Sequence, residues 1–264
     1  MSHFDFKQFR IEQDRCAMKV GTDGVLLGAW AEGGRRVLDI GTGTGLIALM
    51  MAQRFENSVV TAIDIDAEAC EQARENVLAS PFAHRVEVVH ASLQDFSASF
   101  ANFRSSEQAI LTESQRSSNS FSTTWKPSNS LIENRFDCIV SNPPFFEQSL
   151  KNPDQRKATA RHADSLPFSD LFEGVSQLLS DEGIFSVVIP VEKLESFLSN
   201  AYLSGFYIAR QCIIKTTRRK PAKRCLLAFQ KHLPASVERA EFYLQNDDGT
   251  RSDWYRNLTE NFYL

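Results

Sequence analysis

Three acids and an asparagine stand at or just past the ends of apolar runs, and the types and spacing of these residues point to chemistry. Asp39 lies near the end of Arg36–Ile40 (RVLDI) and leads into GTGTG, where Gly41, Gly43 and Gly45 alternate. Glycines so placed let the backbone turn sharply and approach a ligand where a side chain would clash. The dinucleotide fingerprint G-x-G-x-x-G, counted from Gly41, requires a glycine at position 46, which is Leu46 here. The Asp39 carboxylate would repel a pyrophosphate and attract an ammonium. The loop therefore suits a nucleotide-like cofactor without phosphate, and S-adenosylmethionine, with its methionine ammonium, fits.

Asp64 ends a second apolar run, 25 residues after Asp39. A carboxylate there can accept hydrogen bonds from two ribose hydroxyls, as in nucleotide-binding α/β folds. Asp66 suits a helix cap instead. After a third run, Ser92–Asp95 is placed for an adenine ring, with Asp95 accepting from its amino group and Leu93 packing on its face.

Asn142-Pro143-Pro144-Phe145 follows a fourth run. Two prolines fix the backbone and can continue neither a sheet ladder nor a helix. The Asn142 side-chain oxygen and the Pro143 carbonyl can thus be held as two acceptors for the two N–H bonds of an exocyclic amine. Accepting both draws the nitrogen lone pair out of ring conjugation, toward the tetrahedral geometry of methyl transfer. Phe145 offers a flat face for a planar acceptor. The expected chemistry is direct in-line transfer driven by positioning, with no metal, no covalent intermediate and no role for His90 or His162.

The net charge of −4 argues at first against a nucleic-acid partner. The cations are unevenly spread, however. Lys215–Arg224 (KTTRRKPAKR) holds six cations among ten residues and no acid. Such a run is either a solvated face or a footprint for phosphates. On the second reading Arg218, Arg219 and Lys220 grip RNA, together with Arg156, Lys157 and Arg161 beyond the tetrad. A base reached by such a site must leave its stack, which is easiest in a single-stranded loop.

The elements that must position these residues alternate. Strands are expected at Arg36–Ile40, Val59–Ile65, Val86–His90, Phe136–Ser141, Gly183–Pro190, Phe206–Lys215 and Arg224–Gln230. Helices are expected at Leu46–Phe55, Asp66–Leu78, Ser169–Leu179 and Glu192–Asn200. This order predicts an α/β fold: a seven-stranded, mostly parallel sheet with helices on both faces and an antiparallel strand at its edge. The 264 residues suit a single domain, 1–264, interrupted by Ser97–Asn134, a flexible insertion with eleven serines in 38 residues. No run of roughly 20 apolar residues could cross a bilayer. Five dispersed cysteines without a Cys-x-x-Cys pair suggest reduced thiols rather than zinc. A cytoplasmic monomer is expected.

DIGTGTG, AIDID, SLQD and NPPF stand here in the order of Rossmann-like class I amino methyltransferases, which the chain resembles. With KVGTDGVLLGAWA at Lys19–Ala31, NPPFF at Asn142–Phe146, ARHAD at Ala160–Asp164 and the terminal NFYL, it resembles more closely the tRNA1(Val) adenine-37 N6-methyltransferase family. The resemblance covers nearly all but the serine-rich segment, where family members have a short connection. It implies an S-adenosylmethionine-dependent enzyme acting on an adenine beside the anticodon of one tRNA, with Lys19, Thr22 and Asp23 closing over the cofactor. Guanine N2 of ribosomal RNA and the glutamine of a protein are alternative acceptors for such a tetrad. A cofactor- or RNA-binding module without catalysis is the non-enzymatic alternative.

Overall fold

A computed structural model describes residues 2–100, 135–143 and 166–264. Eight strands form the main sheet in the order β10-β8-β9-β7-β6-β3-β4-β5. In sequence these are β3 (Arg36–Ile40), β4 (Val59–Asp64), β5 (Val86–His90), β6 (Phe136–Ser141), β7 (Leu179–Pro190), β8 (Tyr207–Thr217), β9 (Ala222–Gln230) and β10 (Glu238–Gln245). Among the described strands of this sheet only β9 runs against its neighbours, pairing antiparallel with β7 and β8. The expected α/β architecture forms, with one strand more than the seven read from sequence. β10 lies parallel to β8 and takes the outer edge, so the antiparallel strand β9 is the third from that edge.

Two apolar layers cover the sheet. On one face pack α1 (Thr22–Trp30), α2 (Leu46–Arg54), α3 (Ala67–Leu78) and α6 (Asp253–Thr259), around Val37, Ala62, Val140 and Leu226. On the other pack α4 (Phe168–Leu178), α5 (Leu194–Leu203) and a helical stretch at residues 93–100, around Leu38, Ile139 and Leu227. Alternate residues of each strand divide between the two layers, as a pleated strand requires.

α1 is buried along nearly its whole length, from Gly24 to Trp30, and shows no polar face. Gly24 and Gly28, one turn apart, let it lie against α2. A Cβ at Gly28 would come within 2.7 Å of Met50 Sδ, and one at Gly24 within 3.2 Å of Leu46. The chain begins with a two-stranded hairpin, β1 (His3–Asp5) and β2 (Arg10–Glu12), outside the main sheet. Phe6 stacks on Phe9 at 4.8 Å and on Tyr263 at 6.0 Å, and the Lys7 N–H donates to the Phe262 carbonyl at 2.8 Å. Phe262 is 1% exposed; burying such a side chain contributes roughly 1.5–3 kcal/mol. The terminal NFYL thus locks the hairpin in place.

Residues 97–100, the first four of the serine-rich segment, belong to the helical stretch, and Phe100 is buried near Phe136. The rest of that segment lies outside the described residues.

Candidate functional site

β3, β4 and β5 are laid down in one direction across the sheet, and β6 then returns to the far side of β3. A crevice opens at the carboxyl ends of strands where the order reverses in this way. Asp39 of β3 and Asn142, just after β6, flank it. The two strand ends are tied together, since Ser141 Oγ donates to the Ile40 carbonyl at 2.9 Å.

Gly41, Gly43 and Gly45 all adopt the left-handed conformation, at φ 71°, 54° and 82°. At Gly41 and Gly43 a Cβ would meet nothing within 4 Å, so the loop faces open space. Asn76 of α3 braces it from behind: its amide donates to the carbonyls of Thr44 at 2.9 Å and Glu12 at 2.8 Å.

Asp39 is fully buried. Its Oδ2 accepts from Thr42 Oγ1 at 2.7 Å and from the Ala48 N–H at 3.1 Å, while Oδ1 has no hydrogen-bond partner among the described residues. Burial raises its pKa to about 7, against the lowering effect of those two bonds. A buried acceptor with no donor is costly unless a ligand supplies one. Asp64 accepts from the N–H groups of Gly43 at 2.8 Å and Asp66 at 3.0 Å. Burial raises its pKa too. Asp66 caps α3, accepting from the Glu68 and Ala69 N–H groups. An unpartnered anionic oxygen and a glycine cradle free of Cβ atoms fit the ammonium and nucleoside of S-adenosylmethionine.

The third acid has a local structural part. Ser92 Oγ accepts from the Asp95 N–H at 3.0 Å and donates to Asp95 Oδ2 at 2.7 Å, so the pair starts the helical stretch as a reciprocal cap. Leu93 is a core residue, and a Cβ on Gly174 would lie 2.6 Å from it.

Asn142 is half-buried and Pro143 buried. The Asn142 Nδ2 faces Met18 Sδ at 3.8 Å, and its Oδ1 has no hydrogen-bond partner among the described residues. Pro144, Phe145, Arg156, Lys157 and Arg161 lie outside the described residues. Of the N-terminal trio, Lys19 is exposed and Thr22 begins α1. Asp23 forms an ion pair with Arg224 of β9 instead of standing free. That contact and the Met18 contact joined residues far apart in sequence, and no local pattern signalled them. Thr42, between two of the glycines, was within reach of a sequence reading.

The basic run forms the end of β8, the start of β9 and the turn between them. It lies at the same edge of the sheet as the glycine loop, because β8 runs parallel to β7. Its charges are partly engaged. Lys215 pairs with Glu241, Arg219 with Asp247, and Arg218 donates to Tyr243 Oη at 3.1 Å while lying over its ring. Among the described residues Lys220 has no ion pair, no group of three or more His, Cys, Asp or Glu could hold a metal, and no helix is long and apolar enough to cross a membrane.

Comparison with known proteins agrees with this geometry. A family model described as a methyltransferase domain matches residues 37–118. The chain is 44% identical to the tRNA1(Val) (adenine(37)-N6)-methyltransferase of Bacteroides fragilis, over 99% of this chain and 97% of that one. It is 37% identical to the protein of the same name from Flavobacterium johnsoniae, over 99% of each. The crystal structure of a predicted O-methyltransferase from Agrobacterium tumefaciens shares the fold, with TM-score 0.59 and 17% identity, covering 91% of this chain and 96% of that one.

Proposed function

Since the chain belongs to the tRNA1(Val) (adenine(37)-N6)-methyltransferase family, we propose that its acceptor is the exocyclic N6 of adenine 37 in tRNA1(Val). It is an S-adenosylmethionine-dependent tRNA adenine-N6 methyltransferase. The observation that best supports the assignment of residues is Asn142 at the switch point, its amide nitrogen turned to Met18 and its amide oxygen without a hydrogen-bond partner among the described residues.

The cofactor brings a methyl group on a sulfonium, already activated for transfer. What remains for the protein is placement. Asp39 Oδ1 receives the cofactor ammonium, Gly41 and Gly43 admit its backbone-close parts, and Asp64 accepts from the ribose hydroxyls. Asn142 Oδ1 and the Pro143 carbonyl accept the two N–H bonds of the adenine amine, and Pro144 and Phe145 extend that site. No strong base is needed, because the amine becomes acidic once methylated and its proton then leaves to solvent. Holding both partners in line replaces the entropy of a chance encounter, which is worth up to roughly 7–11 kcal/mol.

Arg218, Arg219 and Lys220 hold tRNA phosphates at the carboxyl edge, and Arg156, Lys157 and Arg161 belong to the same grip. The enzyme acts as a monomer in the cytoplasm, so sedimentation should give one species of 29.8 kDa. The deciding assay incubates the protein with labelled cofactor and total tRNA from a strain lacking the gene, then identifies the methylated nucleoside. N6-methyladenosine at position 37 is expected. N2-methylguanosine, or label in protein, would assign the tetrad to another acceptor.

A further inference from the structure

Past Asn142, away from the cofactor acids, the sheet edge carries Arg224, the last cation of the basic run. Arg224 lies opposite Pro190 in the pairing of β9 with β7, two residues beyond the pair Val188 and Leu226. Ser141 is level with Val187, so Asn142 is level with Val188. Val140, Val188 and Leu226 belong to one apolar layer, and alternation puts Asn142 and Arg224 on that same face. Arg224 therefore stands two strands across and two residues further out, about 10 Å sideways and about 7 Å toward solvent. Asp39 and Asp64 lie in the opposite direction along the edge.

The cofactor acids occupy the β3 and β4 side of Asn142, and the sugar and phosphates hang from the end of the base remote from its amine, so the strand leaves over the side that the cofactor does not fill. That is the side Arg224 occupies. Its side chain is only 18% exposed, and Asp23, in the first turn of α1, holds Nε in an ion pair. Neither Nη has a hydrogen-bond partner among the described residues. The hairpin-tip residues Arg218 and Arg219 turn instead to Tyr243 and Asp247, by the outer edge of the sheet.

We propose that Arg224 binds a phosphate of the substrate strand next to the target adenine, and that Asp23 is the positioning residue that aims it. A guanidinium held beside the Asp23 carboxylate can present its terminal N–H groups as a planar fork, which matches two phosphate oxygens. Asp23 also supplies the counter-charge that a largely buried arginine needs when no RNA is bound. The assignment rests on the tRNA reading above, and it moves Asp23 from the cofactor to the RNA side of the site.

The test uses the anticodon stem-loop, unmodified or with a neutral methylphosphonate at the phosphate on the 5′ or the 3′ side of adenine 37. Arg224→Ala is expected to weaken binding of the unmodified stem-loop about ten-fold and to flatten the salt dependence by about 0.7 in log–log slope. On one of the two methylphosphonate stem-loops, itself bound about ten-fold more weakly by the native protein, Arg224→Ala should cost nothing further. Independent losses on both, or an unchanged slope, would overturn the proposal. If Arg224→Ala does not fold, Arg224→Lys keeps the ion pair but loses the fork. It should then bind the unmodified stem-loop several-fold more weakly and match the native protein on the modified one, and native affinity on both would overturn the assignment. Asp23→Ala should raise KM for tRNA with cofactor Kd unchanged, and Asp23→Glu, which keeps a carboxylate for the ion pair, should restore it. A raised cofactor Kd with unchanged tRNA binding would return Asp23 to the cofactor. A native protein that makes no N6-methyladenosine in tRNA refutes the underlying function, whereas native methylation with indifferent Arg224 variants refutes this inference alone.

Discussion

The Asp64 carboxylate accepts a hydrogen bond from the Gly43 N–H at 2.8 Å, joining the end of β4 to the crest of the glycine loop. One acid thereby shapes the loop of the neighbouring strand, and its own orientation is set before any ligand arrives. Its second oxygen is fixed by the Asp66 N–H, where the next helix begins. The cofactor site is thus built largely from backbone held by carboxylates, and such a site is sensitive to changes in the backbone.

Gly43→Ala tests that dependence. The residue sits at φ 54°, with open space where a Cβ would stand. A left-handed alanine costs roughly 1–2 kcal/mol, and its methyl would occupy the ligand's side of the loop. Cofactor affinity should fall at least about ten-fold, equivalent to 1.4 kcal/mol, while the protein stays folded at 25 °C. Calorimetry showing native cofactor affinity would remove the loop from the site.

Asp39 makes a pH-dependent prediction. Its folded pKa of about 7 lies above the ordinary 3.8 because burial disfavours the charge. Between those values the folded state holds more protons than the unfolded state, so stability falls as pH rises from 4 to 7. Asp39→Asn removes the buried charge. It should melt no lower than the native protein at pH 8, with a gain of up to a few kcal/mol, and this advantage should vanish near pH 4. The cofactor ammonium favours the ionised carboxylate, so native affinity should rise with pH through 7 and that of the variant should not. Parallel pH profiles would detach Asp39 from the ammonium.

Asn142→Ala should leave cofactor binding intact and reduce kcat at least about 100-fold, the scale seen when one preorganised transition-state hydrogen-bonding group is lost. Its amide makes only the weak hydrogen bond to Met18 among the described residues, so the melting temperature should hardly move. A loss confined to cofactor affinity would assign Asn142 to the cofactor rather than to the amine.

Local signals made much of the fold readable in advance. Strands at Arg36–Ile40 and Val86–His90 form as expected, and Asp66 caps its helix, because alternation and capping act within a few residues. Ser92 and Asp95 obey an equally local rule, and their side chains cap the helical stretch that follows β5. β10 was missed although Ala240, Phe242 and Leu244 alternate inward; its charged outward residues made a half-buried edge strand look like a loop. α1 was missed because it is apolar on every side and so has no period to detect.

The amino-acid sequence by itself determined the residue types of the site and the turns that carry them: the glycine loop after Asp39, the acid at Asp64 and the tetrad at Asn142. Those depend on backbone conformation and strand period, which neighbouring residues specify. Only the tertiary structure decided what each side chain meets across the fold. It left Asp39 Oδ1 buried without a donor, set Met18 beside Asn142, and joined Asp23 to Arg224. Such contacts follow from strand order and register, which arise from packing the whole chain around two cores and are written in no single stretch of it.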